Sequence, residues 1–363
     1  MQNERDTGKS KENKELSPAK KLLSVLIVRL GAMGDILHAL PAIAALRTAH
    51  PDWFLGWAIE PQWRDLLCAG DCAQRGPHMP VVDAIHVVSA KQWAHAPVSI
   101  TTLRDIRRVR RELRVARYDI CIDLQGAVRS AVIGRWAGAS RLIGEDQPRE
   151  RAARWLFSER VETHGVHVIE QAIEVANAVA GDSLPAILPC LPTDARAETW
   201  ADGLNQPFVL ISPGAGWGAK CWPTERYGAV ASRFHQAGYK ILVNTGPGEL
   251  SIAREIVSLS GDTATAMRLT IAELIAVTRR ASLVIAGDTG PLHLASALDK
   301  PVVGIFGPTD PARNGPFWGS FKVLRHPESR RDHARHAAPE AGLLTITPEA
   351  VLDAAMELLK EAK

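Results

Sequence analysis

No stretch of this 363-residue chain approaches the ~20 consecutive apolar residues of a bilayer span, so no membrane-crossing helix is expected. The first residues are rich in Lys and Glu and lack an apolar core, which excludes a signal peptide and predicts a disordered tail over 1–21. Net charge is scarce: +3, too little to argue for a nucleic-acid partner. Cysteine is scarce as well. Cys68, Cys72, Cys121, Cys190 and Cys221 show no metal-ligand spacing, and their odd count and scatter suit reduced thiols in a cytoplasmic protein, with the Cys68-x3-Cys72 spacing taken as chance. An Asp-x-Asp metal pair is missing around Asp288, so no required cation and no cofactor is expected. A complete G-x-G-x-x-G with a downstream acid is missing too, which argues against a dinucleotide oxidoreductase.

What the chain does have is alternation. Apolar content of 46% and charged content of 23% are those of a globular protein. Short apolar runs at Leu22–Arg29, Trp53–Ile59, Ala84–Val88 and Tyr118–Gly126 read as strands, with helices between them. One helix, Ile36–Ala49, contains Pro41, which should kink or restart it. Leu184–Asp194 holds three prolines without periodicity and reads as a linker. A second alternating set follows, with strands at Phe208–Ser212, Lys240–Asn244 and Leu283–Ala286, and a terminal helix from Pro348. These patterns predict an α/β protein of two Rossmann-like domains, 22–183 and 195–347, facing each other across a cleft. The last helix, 348–363, is expected to pack back on the first domain.

Ligands in such folds bind beyond the carboxyl ends of the strands. Four small-residue turns sit there. Gly287-Asp288-Thr289-Gly290 breaks a strand and opens a helix, which aims free N–H groups at an anion; the plainer reading is that Asp288 and Thr289 cap the helix. Gly31-Ala-Met-Gly34-Asp35 places an acid inside a turn, where it would repel a pyrophosphate and is better suited to take a proton from a hydroxyl; Asp35 could also serve as a helix cap, and His38 could assist it or face the sheet. Gly214 to Lys220 ends in a lysine, a point charge for phosphate. Glu249 follows Gly-Pro-Gly and could hold a ribose diol or simply favour a helix start. Asp123 and Gln125 could line an acceptor side, and Asp123 could equally be a structural cap. Arg104–Arg117 is a basic helix: a solvated face, or a surface for an anionic acceptor or membrane.

Taken together, Arg29-Leu-Gly-Ala-Met-Gly-Asp35-Ile-Leu-His38-Ala-Leu-Pro41, Ser212-Pro-Gly-Ala-x4-Lys220-x-Trp-Pro223 and Asp288-Thr-Gly-x-x-His293-x3-Ala297 with Gly307-Pro-Thr-Asp-Pro311 resemble the ADP-heptose:lipopolysaccharide heptosyltransferases, an inverting family with the GT-B fold. Asp119-x3-Asp123-Leu-Gln-Gly126-x2-Arg129-Ser130-Ala131 looks more like heptosyltransferase I, which acts on the Kdo sugar of the inner core, than heptosyltransferase II. The resemblance implies Asp35 as general base. It implies a donor site of Ala215, Gly216, Lys220, Glu249, Leu269, Asp288, Thr289, Gly290 and His293, with Glu249 at the ribose and Leu269 near the adenine. Asp123, Gln125 and Arg129 would meet the acceptor. It further implies ADP-heptose as donor, Kdo-lipid A as acceptor, and a monomer on the cytoplasmic face of the inner membrane. The chain departs from heptosyltransferase I at Ala215-Gly216, where a Thr-Thr pair is usual, and at Leu269, where a methionine is usual; Glu249 aligns only with a one-residue shift. The competing readings are a heptosyltransferase II or another family member using a different acceptor or nucleotide sugar, and a non-catalytic nucleotide-sugar or membrane-surface binding protein.

Overall fold

The computed structural model describes residues 22–361 except 205, 215, 247, 330 and 333–335. The expected tail and Ala215 therefore lie outside the described residues. Two six-stranded sheets carry the structure. The first half runs β1 (Ser24–Val28), α1 (Met33–Ala49), β2 (Phe54–Ile59), β3 (Ala84–Val87), α2 (Ala90–His95), α3 (Ile100–Ala116), β4 (Ile120–Asp123), α4 (Val128–Trp136), β5 (Arg141–Glu145), β6 (Glu159–Val161) and α5 (Val168–Ala180). The second runs α6 (Ala195–Asp202), β7 (Phe208–Ser212), α7 (Thr224–Gln236), β8 (Lys240–Asn244), α8 (Leu250–Leu259), β9 (Ala264–Met267), α9 (Ile271–Arg280), β10 (Leu283–Gly287), α10 (Gly290–Ala297), β11 (Val302–Phe306), α11 (Pro311–Asn314), β12 (Phe321–Arg325) and α12 (Pro348–Glu361).

Every strand pairing is parallel, in the orders β3-β2-β1-β4-β5-β6 and β12-β11-β10-β7-β8-β9. Each sheet thus reverses direction once, between β1 and β4 and between β7 and β10. These are the switch points beside which open α/β sheets bind ligands.

Strand alternation sorts the core into three packed regions. Leu26 and Val28 point to the α3–α4 side, and Val209, Ile211, Leu283 and Ile285 to the α7–α12 side. The opposite faces, Val25 and Ile27 in one sheet and Leu210, Val284 and Ala286 in the other, belong to a single core that runs through α1, α5, α9 and α10. The two halves are therefore joined by continuous apolar packing.

Three expectations are corrected. Helix α1 starts at Met33 and runs unbroken through Pro41, because residues 36–46 are all buried and that packing outweighs the ~3 kcal/mol a mid-helix proline costs. Helix α12 lies on the second half, where Val351, Ala355 and Leu358 fill the core against α7 and β10–β12, so its apolar stripe is consumed there and not on the first half. Cys68 and Cys72 are joined as a disulfide, their Cα atoms 6.2 Å apart in a tight loop after Leu67, while Cys121, Cys190 and Cys221 stay outside any disulfide. Residues 184–194 carry no helix or strand and are held from both sides: Thr193 N donates to Pro77 O at 3.0 Å, and Arg279 donates to Leu191 O and Pro192 O at 2.8 and 2.9 Å.

Candidate active site

At the second switch point, β7 ends in the Gly-rich loop and β10 in Gly287. The short turn Gly218–Lys220 is braced by the 336–340 segment: Ala219 N donates to His336 O at 3.0 Å, and Glu340 N to Ala219 O at 3.2 Å. That bracing places Lys220 Nζ against Asp288 Oδ2 and 4.3 Å from the centre of the Trp217 ring. Asp288 Oδ1 lies 3.2 Å from His293 Nε2, one helical turn into α10. The side chains of Lys220 and Asp288 are 11% and 6% exposed. Burial opposes ionisation of Asp288, but the hydrogen bond and charge of His293, with the Lys220 ammonium, outweigh it and hold the carboxyl below the usual carboxylate range. No side chain caps α10: Thr289 Oγ1 turns back to Gly287 O at 3.3 Å, Pro291 has no N–H, and Leu292 N and His293 N donate to Thr289 O at 3.1 and 3.4 Å, which leaves the Gly290 N–H at the helix start. The geometry thus departs from the capping alternative for Thr289 and sets a cation beside a helix start.

The network continues into the first half. His293 Nδ1 lies 3.1 Å from His38 Nε2 on α1. His38 meets His167 edge-on at 5.5 Å between centroids, and His167 Nε2 lies 3.0 Å from Gly315 O. Burial first, then the neighbouring His293, His167 and Arg29, hold the His38 ring well below the ordinary imidazole range. The seam has no spare room. A void of only about 10 Å³ lies among His38, His293, Ser296 and Phe317, and added Cβ atoms at Gly34 and Gly290 would sit 2.6 Å from the His293 ring and 2.5 Å from Met33 Sδ. The two glycine-bearing turns singled out in the sequence are therefore pressed against each other, glycine to side chain, in both directions.

Asp35 follows Gly34 directly. It is the third residue of α1 and caps the helix from there: one carboxylate oxygen accepts from the N-cap Ala32 N at 3.0 Å, and the other lies 2.9 Å from Arg29 Nη2. The carboxylate remains 42% exposed. Arg29 also donates to Leu124 O, tying the Asp35 turn to the β4 turn across the first switch point. In that turn Asp123 is buried, and its Oδ1 accepts from Gln125 N, Gly126 N and Ser130 Oγ at 2.8 to 3.0 Å. Asp123 therefore shapes the turn, as the structural-cap alternative had it. Burial pushes its carboxyl up to about 6 against those donors. Gln125 Oε1 accepts from Leu30 N at 2.8 Å, and Arg129 is exposed with its charge felt by Glu60.

On the donor side, Glu249 Oε2 accepts from Gly246 N at 2.9 Å, and its carboxylate fills the place a Cβ would take at Gly214, so the β7 and β8 loops meet there. Gly216 is exposed, and Leu269 packs half-buried against the shared core. The structure thus brings together Lys220, Asp288, His293, Gly290 and the Asp35 turn, and separately Glu249 with Gly214. It gives Leu269 and Arg129 no contact with these groups. Sequence reasoning gave no role to Arg29, His167 or Trp217. Arg29 and Trp217 sat inside quoted motifs, whereas His167, which opens α5, carried no local signal. Among the described residues no group of three or more His, Cys, Asp or Glu side chains is arranged to hold a metal ion.

Comparison with known proteins gives a consistent result. The profile of Glycosyltransferase family 9 (heptosyltransferase) matches residues 106–362. The chain is 26% identical over 299 residues to lipopolysaccharide heptosyltransferase 1 of Pseudomonas aeruginosa, covering 81% of each chain. It is 28% identical over 289 residues to lipopolysaccharide heptosyltransferase 3 of Escherichia coli, covering 76% of this chain and 81% of that one. In fold it is similar to the E. coli heptosyltransferase WaaC with ADP-2-deoxy-2-fluoro heptose, with a TM-score of 0.74 at 23% identity over 94% of this chain and 100% of that one. The E. coli ADP-heptose lps heptosyltransferase II gives 0.75 at 19% identity, covering 94% and 99%.

Proposed function

The chain belongs to glycosyltransferase family 9, and from that premise we propose that it moves heptose from ADP-heptose onto the Kdo of a lipopolysaccharide inner core, as a heptosyltransferase I. The observation that carries the reading is the Lys220–Asp288–His293 cluster at an uncapped helix start, pressed against the turn that presents Asp35. Residues 195–347 hold the donor and 22–183 the acceptor, with 184–194 between them.

The acceptor hydroxyl attacks the anomeric carbon of the heptose from the face opposite ADP. A new carbon–oxygen bond forms as the bond to the diphosphate breaks, and the configuration inverts in the single displacement. Asp35 takes the hydroxyl proton; Arg29 fixes which way its carboxylate points. Negative charge grows on the departing diphosphate, where Lys220, the Gly290 N–H and the positive end of the α10 dipole oppose it. Asp288 acts on Lys220 and His293, holding both in place within a buried network. With Ala215-Gly216 in place of two hydroxyl residues, backbone N–H groups serve the phosphates in that loop. Glu249 takes the ribose diol in this reading. The enzyme works at the cytoplasmic membrane face, where the lipid-anchored acceptor is made.

The test is mass spectrometry of Kdo-lipid A after incubation with ADP-heptose and the protein in EDTA. A product heavier by one heptose is expected. Intact donor binding without product would assign another acceptor, such as that of heptosyltransferase II; no binding of ADP-heptose would remove the donor reading.

A further inference from the structure

Away from the strand ends, α3 carries a surface that the reaction does not use. Its buried side is set by Thr102, Val109 and Leu113, which pack toward the first sheet. At 3.6 residues per turn, Arg104, Arg107, Arg110, Arg111 and Arg114 all fall within an arc of about 140° on the opposite side. All five are exposed, and Arg107, Arg110, Arg111 and Arg114 line an open hollow of about 560 Å³ with Val115 and Arg117. The acids of this helix do not reach that arc. Asp105 and Glu112 lie on the flank, where Arg108 binds them at 2.6 and 2.8 Å, and Asp105 also accepts from Trp93 Nε1 at 2.8 Å. The outer arc is therefore uniformly cationic.

Apolar side chains stand in the same arc. Ile100 is 59% exposed and Val115 74%, and Val98, just before the helix, is 88% exposed. Leu103 joins them. The layer continues sideways: α4, packed on α3, exposes Arg135, and the Arg151–Leu156 turn packed on α4 exposes Trp155. Arginines alone would suit any polyanion. Arginines interleaved with bare aliphatic side chains and a tryptophan suit an anionic bilayer surface, where the cations meet lipid phosphates and the apolar groups sink into the headgroup boundary. A nucleic-acid backbone offers the apolar groups nothing.

We infer that the outer face of α3 is a docking surface for an anionic lipid bilayer, laying the ~25 Å helix along the membrane. Helix α3 begins at the rim where the first sheet's strands end, so docking holds the acceptor-side strand ends at the lipid surface. The inference deepens the reading that the acceptor is lipid-anchored and rests on it for its purpose.

The experiment is flotation of the full chain with vesicles, without donor or acceptor. One set is phosphatidylcholine alone and the other phosphatidylcholine and phosphatidylglycerol in equal parts. The wild type should float with the phosphatidylglycerol vesicles only, and less so as salt rises. Arg107→Gln, Arg111→Gln and Arg114→Gln together should lower the partition coefficient roughly 10²-fold, at about fivefold for each charge. Val98→Ser with Ile100→Ser should lower it at unchanged charge. Both variants should transfer heptose to an acceptor stripped of its acyl chains as the wild type does. Equal flotation with neutral vesicles, wild-type flotation by the triple variant, or retention on nucleic acid without flotation would overturn the inference. Flotation without heptose transfer by the wild type would remove the proposed function and leave the docking surface standing.

Discussion

The histidine seam should make stability depend on pH through His38. Folded His38 is buried against His293, with its ring held well below the ordinary imidazole range by burial first and then by the neighbouring His293, His167 and Arg29. In the unfolded chain the same ring returns to a pKa near ~6.5. Below that value the unfolded state binds a proton that the folded state refuses, so stability is full above it and falls as pH falls. Between about pH 7.5 and 5.5 the loss from this one ring is about 1.3 kcal/mol. Asp123 works in the other direction. Its folded carboxyl is pushed up to about 6 by burial, so its contribution is present at low pH and is lost as pH rises through that value. Over the same window it offsets the histidine by about 0.8 kcal/mol. Asp288, depressed below the carboxylate range, stays ionised throughout and contributes no slope there. The wild-type pH profile alone therefore mixes opposing terms. A comparison with His38→Gln isolates the ring, because Asp123 and Asp288 are common to both proteins. Urea unfolding followed by tryptophan fluorescence at about pH 7.5, 6.5 and 5.5 should show the wild type losing about 1.3 kcal/mol more than the variant on going down the series. A stability difference that does not change with pH would refute the assignment of a neutral, buried His38.

Asp35→Asn should bind ADP by calorimetry as the wild type does and lose roughly 10²–10⁴ in turnover, and near-normal turnover would remove Asp35 from the mechanism. Asp288→Asn leaves the Lys220 ammonium buried without its counter-charge and should cost about 3 kcal/mol in urea unfolding and weaken donor binding; a cost under about 1 kcal/mol would show that Lys220 finds water or another partner. Gly34→Ala should destabilise by about 1–3 kcal/mol even though alanine is the better helix former, because the new methyl meets a His293 ring held by hydrogen bonds on both nitrogens. Gly290→Ala should also destabilise, since its methyl meets Met33 Sδ, Cγ and Cβ at 2.5, 2.8 and 2.9 Å and turning the thioether end alone does not clear the Cβ; an unchanged melting temperature would show that α1 and α10 can part there.

Much of this molecule was legible in its residues. Runs such as Val25–Val28, Phe208–Ile211 and Leu283–Ala286 are apolar at every position because a central parallel strand is covered on both faces, and that local signature located the middle of each sheet. The edges were harder. Strands β6, β9 and β12 are short and of mixed composition, with one flank open, so nothing in Glu159–Val161 or Phe321–Arg325 distinguishes them from a loop until their neighbours are in place. The same logic divides the site. Asp35, Lys220, Asp288 and Thr289 could be named from the sequence because each follows a strand within a small-residue turn, a pattern fixed over a few residues; His293, inside α10, could be named only through the family resemblance. Their partners could not. Whether Lys220 faces Asp288, whether His293 reaches His38, 255 residues away, and whether Gly34 and Gly290 are glycines because two helices touch there are all set by how the two sheets dock. The sequence by itself determined which residues end up at the carboxyl edges, because that depends on local alternation. Only the tertiary structure decided which of those edges meet, because long-range packing of α1 on α10 is a property of neither segment alone.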